Sequence, residues 1–233
     1  MPRRASPTQE PLPSTSSSRL VHRLPAGTSL EATALLEPAA CVANGLLEIV
    51  LRPGLAVAVV GAGTLGLLAV LLLRLTSPAC LALVDVRSDR LALGSELGSS
   101  ETWVASVQDS VLHREKHYDL VFEATGTGDG VDTALRLARR GGMVVLEGIS
   151  DRQEPALNAD LITLNQLRVQ GGFGASSRAW SWVVDLFIHG QLDPAPLITH
   201  RYPLDAHQTA FATLQDPRAG AVKVQLLPNE ESS

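Results

Sequence analysis

Apolar positions change their spacing several times along the chain, and each change predicts an element. From Leu30 to Val50 the apolar residues Ala34, Leu35, Val42, Leu46, Leu47 and Ile49 recur at helical intervals. Pro38 falls inside this stretch and predicts the start of a second helix, because proline fits a first turn. Ala56–Val60 is a short, valine-rich run without a polar residue, suited to a strand buried on both faces. A glycine turn and a helix over Thr64–Leu75 follow, and Leu81–Val84 is a second strand of the same kind. Ser88 is placed to cap a helix through Leu97, with Gly98 as its stop.

The alternation then repeats. Trp103–Val104 predicts a weak third strand and Asp119–Phe122 a fourth. A helix with Val131, Ala134, Leu135 and Ala138 on one face is expected to end at Gly141-Gly142. Met143–Leu146 and Leu167–Gln170 complete six strands. Strands and helices alternating at this spacing predict an α/β fold with a doubly wound parallel sheet. Beyond Ser176, Trp180, Val183, Val184 and Phe187 share one helix face, stopped by Gly190. A strand (Leu197–Tyr202), a helix (Asp205–Leu214) and a last strand (Val222–Leu226) follow. This piece is too small for its own core, so it must pack on something else, and its apolar face around Trp180, Val184 and Phe187 is expected to stand exposed.

Composition narrows the function classes. A net charge of −5 gives no basic field, and aromatics at 4% offer few stacking surfaces, so a nucleic-acid role is not expected. Leu55–Leu73 carries no charged residue and has the length of a membrane span, but Gly61, Gly63 and Gly66 stand in its middle. A strand, a tight turn and a buried helix explain the same apolarity, so no membrane partner is expected. The first 18 residues are rich in Pro, Ser and Thr with no apolar run behind Arg3 and Arg4, which predicts a disordered tail rather than a secretory signal. Cys41 and Cys80 form no C-x-x-C pair and fit a reducing, cytoplasmic setting.

The chemistry lies in Gly61-Ala62-Gly63-Thr64-Leu65-Gly66, a G-x-G-x-x-G pattern between a predicted strand and a predicted helix. Asp85 ends the next strand, 19 residues after Gly66. In a Rossmann domain the first glycine allows the tight turn, the second lets the backbone approach a pyrophosphate, and the third lets helix and strand pack closely. The helix start then presents amide donors and a positive dipole end to phosphate. Asp85 accepts from ribose hydroxyls and repels a 2′-phosphate, which favours NAD over NADP. Arg87 and Arg90 weigh the other way, since arginine accommodates that phosphate.

With these residues in place, the chain resembles the medium-chain dehydrogenase/reductase superfamily, in its zinc-type alcohol and polyol dehydrogenase branch. The matching segments are Leu36-Glu37-Pro38, Val59 to Gly66, Asp85 with Arg90, Phe122-Glu123-Ala124-Thr125-Gly126, Gly141 to Gly148, Leu167 to Gly171, and Leu197 to Leu204. The resemblance implies adenosine contacts at Asp85 and Arg90, and a turn beside the nicotinamide ribose at Ala124, Thr125 and Gly126. It implies backbone facing the nicotinamide at Gly148, Ile149, Gly172 and Phe173. It places Glu37 near the catalytic zinc or its bound water, although a helix-start carboxylate beside Pro38 explains that residue equally well. Partners would be a small alcohol or ketone and further copies of the chain, as a homodimer or homotetramer.

One departure from the family pattern is large. The resemblance implies a catalytic domain that supplies zinc ligands, and the sequence offers no constellation for them. His113 and His117, four residues apart, do not form H-E-x-x-H, and a solvated helix face accounts for the pair. No metal-ligating residue is therefore assigned. The expected organisation is a tail over 1–29, linking helices over 30–45, an NAD-binding domain over 46–175 and a C-terminal remnant of the catalytic domain over 176–233. The chain reads as an N-terminally incomplete dehydrogenase that binds NAD and turns nothing over alone. The alternative reading is a non-catalytic NAD-binding or interaction module.

Overall fold

The structure is a computed structural model and describes residues 21–105, 115–150 and 157–228. The tail over 1–20, the residues 106–114 and 151–156, and His113 lie outside the described residues. Six parallel strands form the central sheet: β1 (Ala56–Val60), β2 (Cys80–Asp85), β3 (Glu101–Val104), β4 (Tyr118–Glu123), β5 (Ala138–Leu146) and β6 (Arg168–Gly171). Their order is β3-β2-β1-β4-β5-β6. The chain builds outward from β1 to β3, then returns to lay β4 on the other side of β1. The carboxyl ends of β1 and β4 therefore flank a crevice where the winding direction reverses, the usual ligand position in such sheets.

Sequence pattern explains why these strands sit in the middle. Residues 57–60 of β1 and 81–84 of β2 are buried on both faces, so neither strand has a solvent side on which polar residues could alternate. Helices α3 (Thr64–Leu73) and α4 (Ser88–Leu97) cover one face. Helices α5 (Gly128–Leu137) and α6 (Ala159–Asn165) cover the other; α6 has no counterpart in the sequence reading. In α3 every residue from Gly66 to Leu73 is buried. The uncharged stretch thus divides into strand, turn and a helix about 15 Å long, half the thickness of a bilayer core. Among the described residues no helix is long and apolar enough to cross a membrane.

Two helices precede the sheet, α1 (Leu30–Thr33) and α2 (Leu36–Leu47), and Pro38 lies in the first turn of α2 as its fixed φ favours. Helix α7 (Ser177–Ile188) packs against α2 and buries Ala179, Val183, Val184 and Leu186. This corrects the expectation of an exposed face around Trp180, Val184 and Phe187. Val184 is buried, and Trp180 and Phe187 are half-buried at the margin of the core. The His22 ring stacks on Trp180 with centroids 6.0 Å apart, and Leu24 packs against the core. Residues 22 and 24, assigned to a tail, are thus part of the packed body.

Two further expectations fail. The helix α5 stops at Leu137, and Gly141-Gly142 lies inside β5 instead of ending a helix. The register against β4 shifts between Tyr118 and Leu120, and Gly141 at φ +71° occupies that irregularity. His117 is not on a helix; its N–H donates to Leu137 O at 3.0 Å just before β4, and its ring meets Tyr118 edge-on. Strands β7 (Ile198–Pro203) and β8 (Lys223–Leu227) form a separate parallel pair joined through α8 (His207–Gln215). This unit leans on the rest of the chain through the Arg201–Glu31 ion pair and a bond from Gln225 Nε2 to Glu31 O at 3.3 Å.

Candidate functional site

The turn after β1 can be built only with glycine at two of its three positions. Gly61 has φ +103°, and its N–H donates to Val84 O at 2.7 Å, which pins the turn to the end of β2. A Cβ on Gly66 would overlap the Gly61 carbonyl oxygen, so only glycine lets α3 start this close to β1. Gly63 differs from both. Its backbone is ordinary, at φ −78° and ψ −172°, and an added Cβ would meet only Arg90 Nη1, at 4.0 Å. Space therefore lies open above Gly63. Among the described residues no side chain caps α3, so its first-turn amides at Thr64, Leu65 and Gly66 are donors without helical acceptors.

That space belongs to a cleft of about 740 Å³ over the ends of β1, β2 and β4. Gly61, Gly63, Asp85, Arg90, Ala124 and Thr125 line it together. Asp85 braces the wall: one carboxylate oxygen accepts from Ala62 N at 2.5 Å and the other from Arg87 N at 2.8 Å. Arg87 also lines the cleft, and its guanidinium pairs with Asp89 at 2.6 Å. Arg90 is half-buried; Nη2 donates to Ala221 O at 3.0 Å and Nε has no partner among the described residues. Thr64 Oγ1 donates to Val222 O at 3.1 Å. The segment entering β8 is thus held against the mouth of the turn, a contact that no local pattern announced.

A second group of predicted residues gathers at the ends of β4, β5 and β6. Fully buried Glu123 organises it: Oε1 accepts from Thr125 N at 2.6 Å, from Thr125 Oγ1, and from Gly126 N at 3.2 Å. Gly126 has φ +68°, and a Cβ there would come 3.0 Å from the Ile149 carbonyl carbon. A Cβ on Gly148 would in turn fall 2.8 Å from Gly126 Cα. These backbones touch because neither carries a side chain in the contact. Ile149 and Phe173 are large apolar side chains left 69% and 82% exposed, a costly arrangement. Glu123 escaped the sequence reading as a site residue; a carboxylate ending a strand buried on both faces was the available signal.

Glu37 stands exposed in the first turn of α2 and accepts from Cys41 Sγ at 3.4 Å. Burial, then the bond and charge of Glu37, push the Cys41 thiol up to about 11, so it is an inert thiol at neutral pH. Neither cysteine is bridged. Among the described residues no three His, Cys, Asp or Glu side chains converge to hold a metal. The donor set of the described residues does not fit a zinc ion. The dinucleotide is different: an open space above Gly63, uncapped amides and a strand-end carboxylate fit a phosphate and a ribose.

Residues 32–225 match the family model described as glucose dehydrogenase C-terminus. The chain belongs to that family. It is 25% identical over 214 residues to a sorbitol dehydrogenase of Bacillus subtilis, covering 90% of this chain and 60% of that protein. The fold superposes on the alcohol dehydrogenase TADH of Thermus sp. ATN1 with a TM-score of 0.80 and 26% identity, over 88% of this chain and 61% of that one. It also matches a Sinorhizobium meliloti structure, described as a zinc-binding dehydrogenase bound to NADP, with a TM-score of 0.75 and 29% identity over 84% and 58%. The chain spans about 60% of the length of the curated relatives it matches. Its relationship is to the medium-chain, zinc-type polyol and alcohol dehydrogenases, and its sheet is of the Rossmann type.

Proposed function

We propose that this chain is the coenzyme-binding part of an NAD-dependent, zinc-type alcohol or polyol dehydrogenase. The observation that carries the reading is the turn after β1: glycine is compelled at Gly61 and Gly66, while Gly63 faces unfilled space. On this reading the amides from Gly61 to Gly66 hold the pyrophosphate and Asp85 accepts from the adenosine ribose. Arg90 flanks the adenosine side. Ala124, Thr125 and Gly126 border the nicotinamide ribose, and the backbone of Gly148–Ile149 and Gly172–Phe173 orients the ring. Glu37 sits toward the substrate side. A bound nicotinamide would carry the hydride to or from a secondary alcohol or ketone. NAD is favoured over NADP because Asp85 closes the ribose end with a carboxylate while Arg87 is engaged by Asp89.

Two further features belong to this proposal. Strand β6 is one edge of the sheet, with Arg168 and Gly171 exposed and Val169 at 37%. An exposed edge invites pairing, and we assign the contact of a homodimer, the unit of a dimeric or tetrameric assembly, to it. The unbridged cysteines suit the reducing cytoplasm. The experiment that tests the reading is calorimetric titration of NAD into the chain and its Gly63→Val variant. Valine fills the space that the pyrophosphate needs, so affinity should fall by about 2 kcal/mol or more, roughly thirtyfold. Equal affinity would remove the turn from the binding site.

A further inference from the structure

The end of β5 carries a carboxylate that the dinucleotide reading leaves without a task. Glu147 stands between Leu146 and Gly148, and its N–H donates to Glu123 O at 2.9 Å, which fixes it beside β4. Its side chain turns to the face covered by α2. A Cβ on Gly45 of α2 would lie 2.9 Å from Oε2, and one on Gly172, just past β6, would lie 2.9 Å from Cδ. Two glycines on separate elements thus make room for this one side chain. Glu147 is 5% exposed, and Oε2 has no hydrogen-bond partner among the described residues.

Among the described residues the surroundings give it no counter-charge. From α2 it is faced by Cys41 and, beyond it, Glu37, neither of them cationic. On β4 Glu123 Oε1 is engaged by Thr125 and Gly126, and Oε2, a second acidic oxygen, has no hydrogen-bond partner among the described residues. Past β6 the neighbour is Gly172, and Gln170 spends its amide on Gly45 O at 3.3 Å. Burial alone pushes the Glu147 carboxyl up to about 7. A buried acid with no partner among the described residues, set among glycines, calls for a group that completes it, and a ligand can supply one.

We infer that Glu147 distinguishes the oxidised from the reduced cofactor, its carboxylate stabilising the positive charge that the nicotinamide ring carries only when oxidised. This rests on the dinucleotide reading, which sets the ring against Gly148 and Gly172 on either side of Glu147. Below about pH 7 the free protein holds Glu147 neutral. The oxidised ring favours the ionised form, so binding lowers the carboxyl's pKa in the complex and, below about pH 7, releases up to one proton to solvent. Affinity for the oxidised cofactor then rises with pH, by up to about tenfold per unit between the two pKa values, and levels off above the free one. The reduced ring is neutral and gains nothing from that ionisation.

The test is calorimetric titration of the full chain with NAD, NADH and ADP-ribose from pH 6 to pH 8, in two buffers of different ionisation heat. The expected result is proton release with NAD only, and an NAD-to-NADH affinity ratio that grows by about threefold or more over the range. ADP-ribose, which lacks the ring, should bind with no such dependence. Glu147→Gln keeps the shape without the charge and should flatten the ratio while leaving ADP-ribose affinity unchanged. Equal pH dependence for NAD and NADH would overturn the inference and leave the dinucleotide reading standing. Failure of all three to bind would overturn both. The wild-type titrations decide the matter even if the glutamine variant folds poorly.

Discussion

The same one-carbon change three residues apart should have opposite consequences, and this separates a structural glycine from a ligand-facing one. In Gly66→Ala the new methyl overlaps the Gly61 carbonyl oxygen and lies 2.9 Å from its carbonyl carbon, with Val59 Cγ1 at 3.4 Å on the other side. Both nearest atoms are backbone of a turn already pinned by Gly61 N to Val84 O. The methyl can be relieved only by moving α3 away from β1, and α3 buries eight consecutive residues. Overpacking of this kind costs about 3 kcal/mol. For a chain of this size that corresponds to a fall in Tm of about 6–12 °C. In Gly63→Ala the methyl enters open space at ordinary φ, so stability should hold or rise by a few tenths of a kcal/mol, up to ~1, as the unfolded chain loses freedom. The alanine methyl should nonetheless weaken NAD binding, because it stands where the phosphates approach. Paired thermal melts and NAD titrations on the two variants provide the check. Equal melting losses, or a Gly63→Ala variant that melts low and binds normally, would refute the division of roles.

Three other outcomes follow from the same geometry. Asp85→Ser removes the acceptor of Ala62 N and the charge opposing a 2′-phosphate, so the NAD-to-NADP affinity ratio should drop about tenfold, ~1.4 kcal/mol. Parallel titrations measure it, and a parent that already prefers NADP would contradict the role of Asp85. Glu123→Leu leaves the Thr125 and Gly126 amides without their acceptor and should cost about 1–3 kcal/mol in urea unfolding, with a weaker response to NAD than to ADP-ribose. Unchanged unfolding would mean that the turn holds itself. Val169→Lys places a charge on the β6 edge and should shift light-scattering mass at micromolar concentration from dimer to monomer; a parent that is already monomeric would remove the edge contact.

Much of the fold was legible because its signals are local. The valine run of β1, the glycines and Asp85 lie within 30 residues, and each answers to one steric requirement. Pro38 and Gly98 mark helix ends for the same reason. Gly141-Gly142 misled because a positive-φ glycine serves a helix end and a strand irregularity alike; only the register between β4 and β5 distinguishes them. The exposure foreseen for α7 failed because its cover comes from α2, more than 130 residues earlier in the chain. The remaining parts of the site were hidden by distance in sequence. Arg90 meets Ala221, Thr64 meets Val222, and Glu147 lies between Gly45 and Gly172. Which face Glu147 takes depends on strand parity and on where α2 lies, and a glutamate before a glycine does not encode either.

On the proposed function the cleft between β1 and β4 receives a nicotinamide dinucleotide. Hydrogen exchange followed by mass spectrometry, with and without NAD, tests it most directly because it reports where binding occurs. Slowed exchange is expected over Gly61–Gly66, at Asp85–Arg87 and over Thr125–Gly126, with the buried amides of β2 unchanged. Saturable binding with protection elsewhere, or no protection at millimolar NAD, would contradict it.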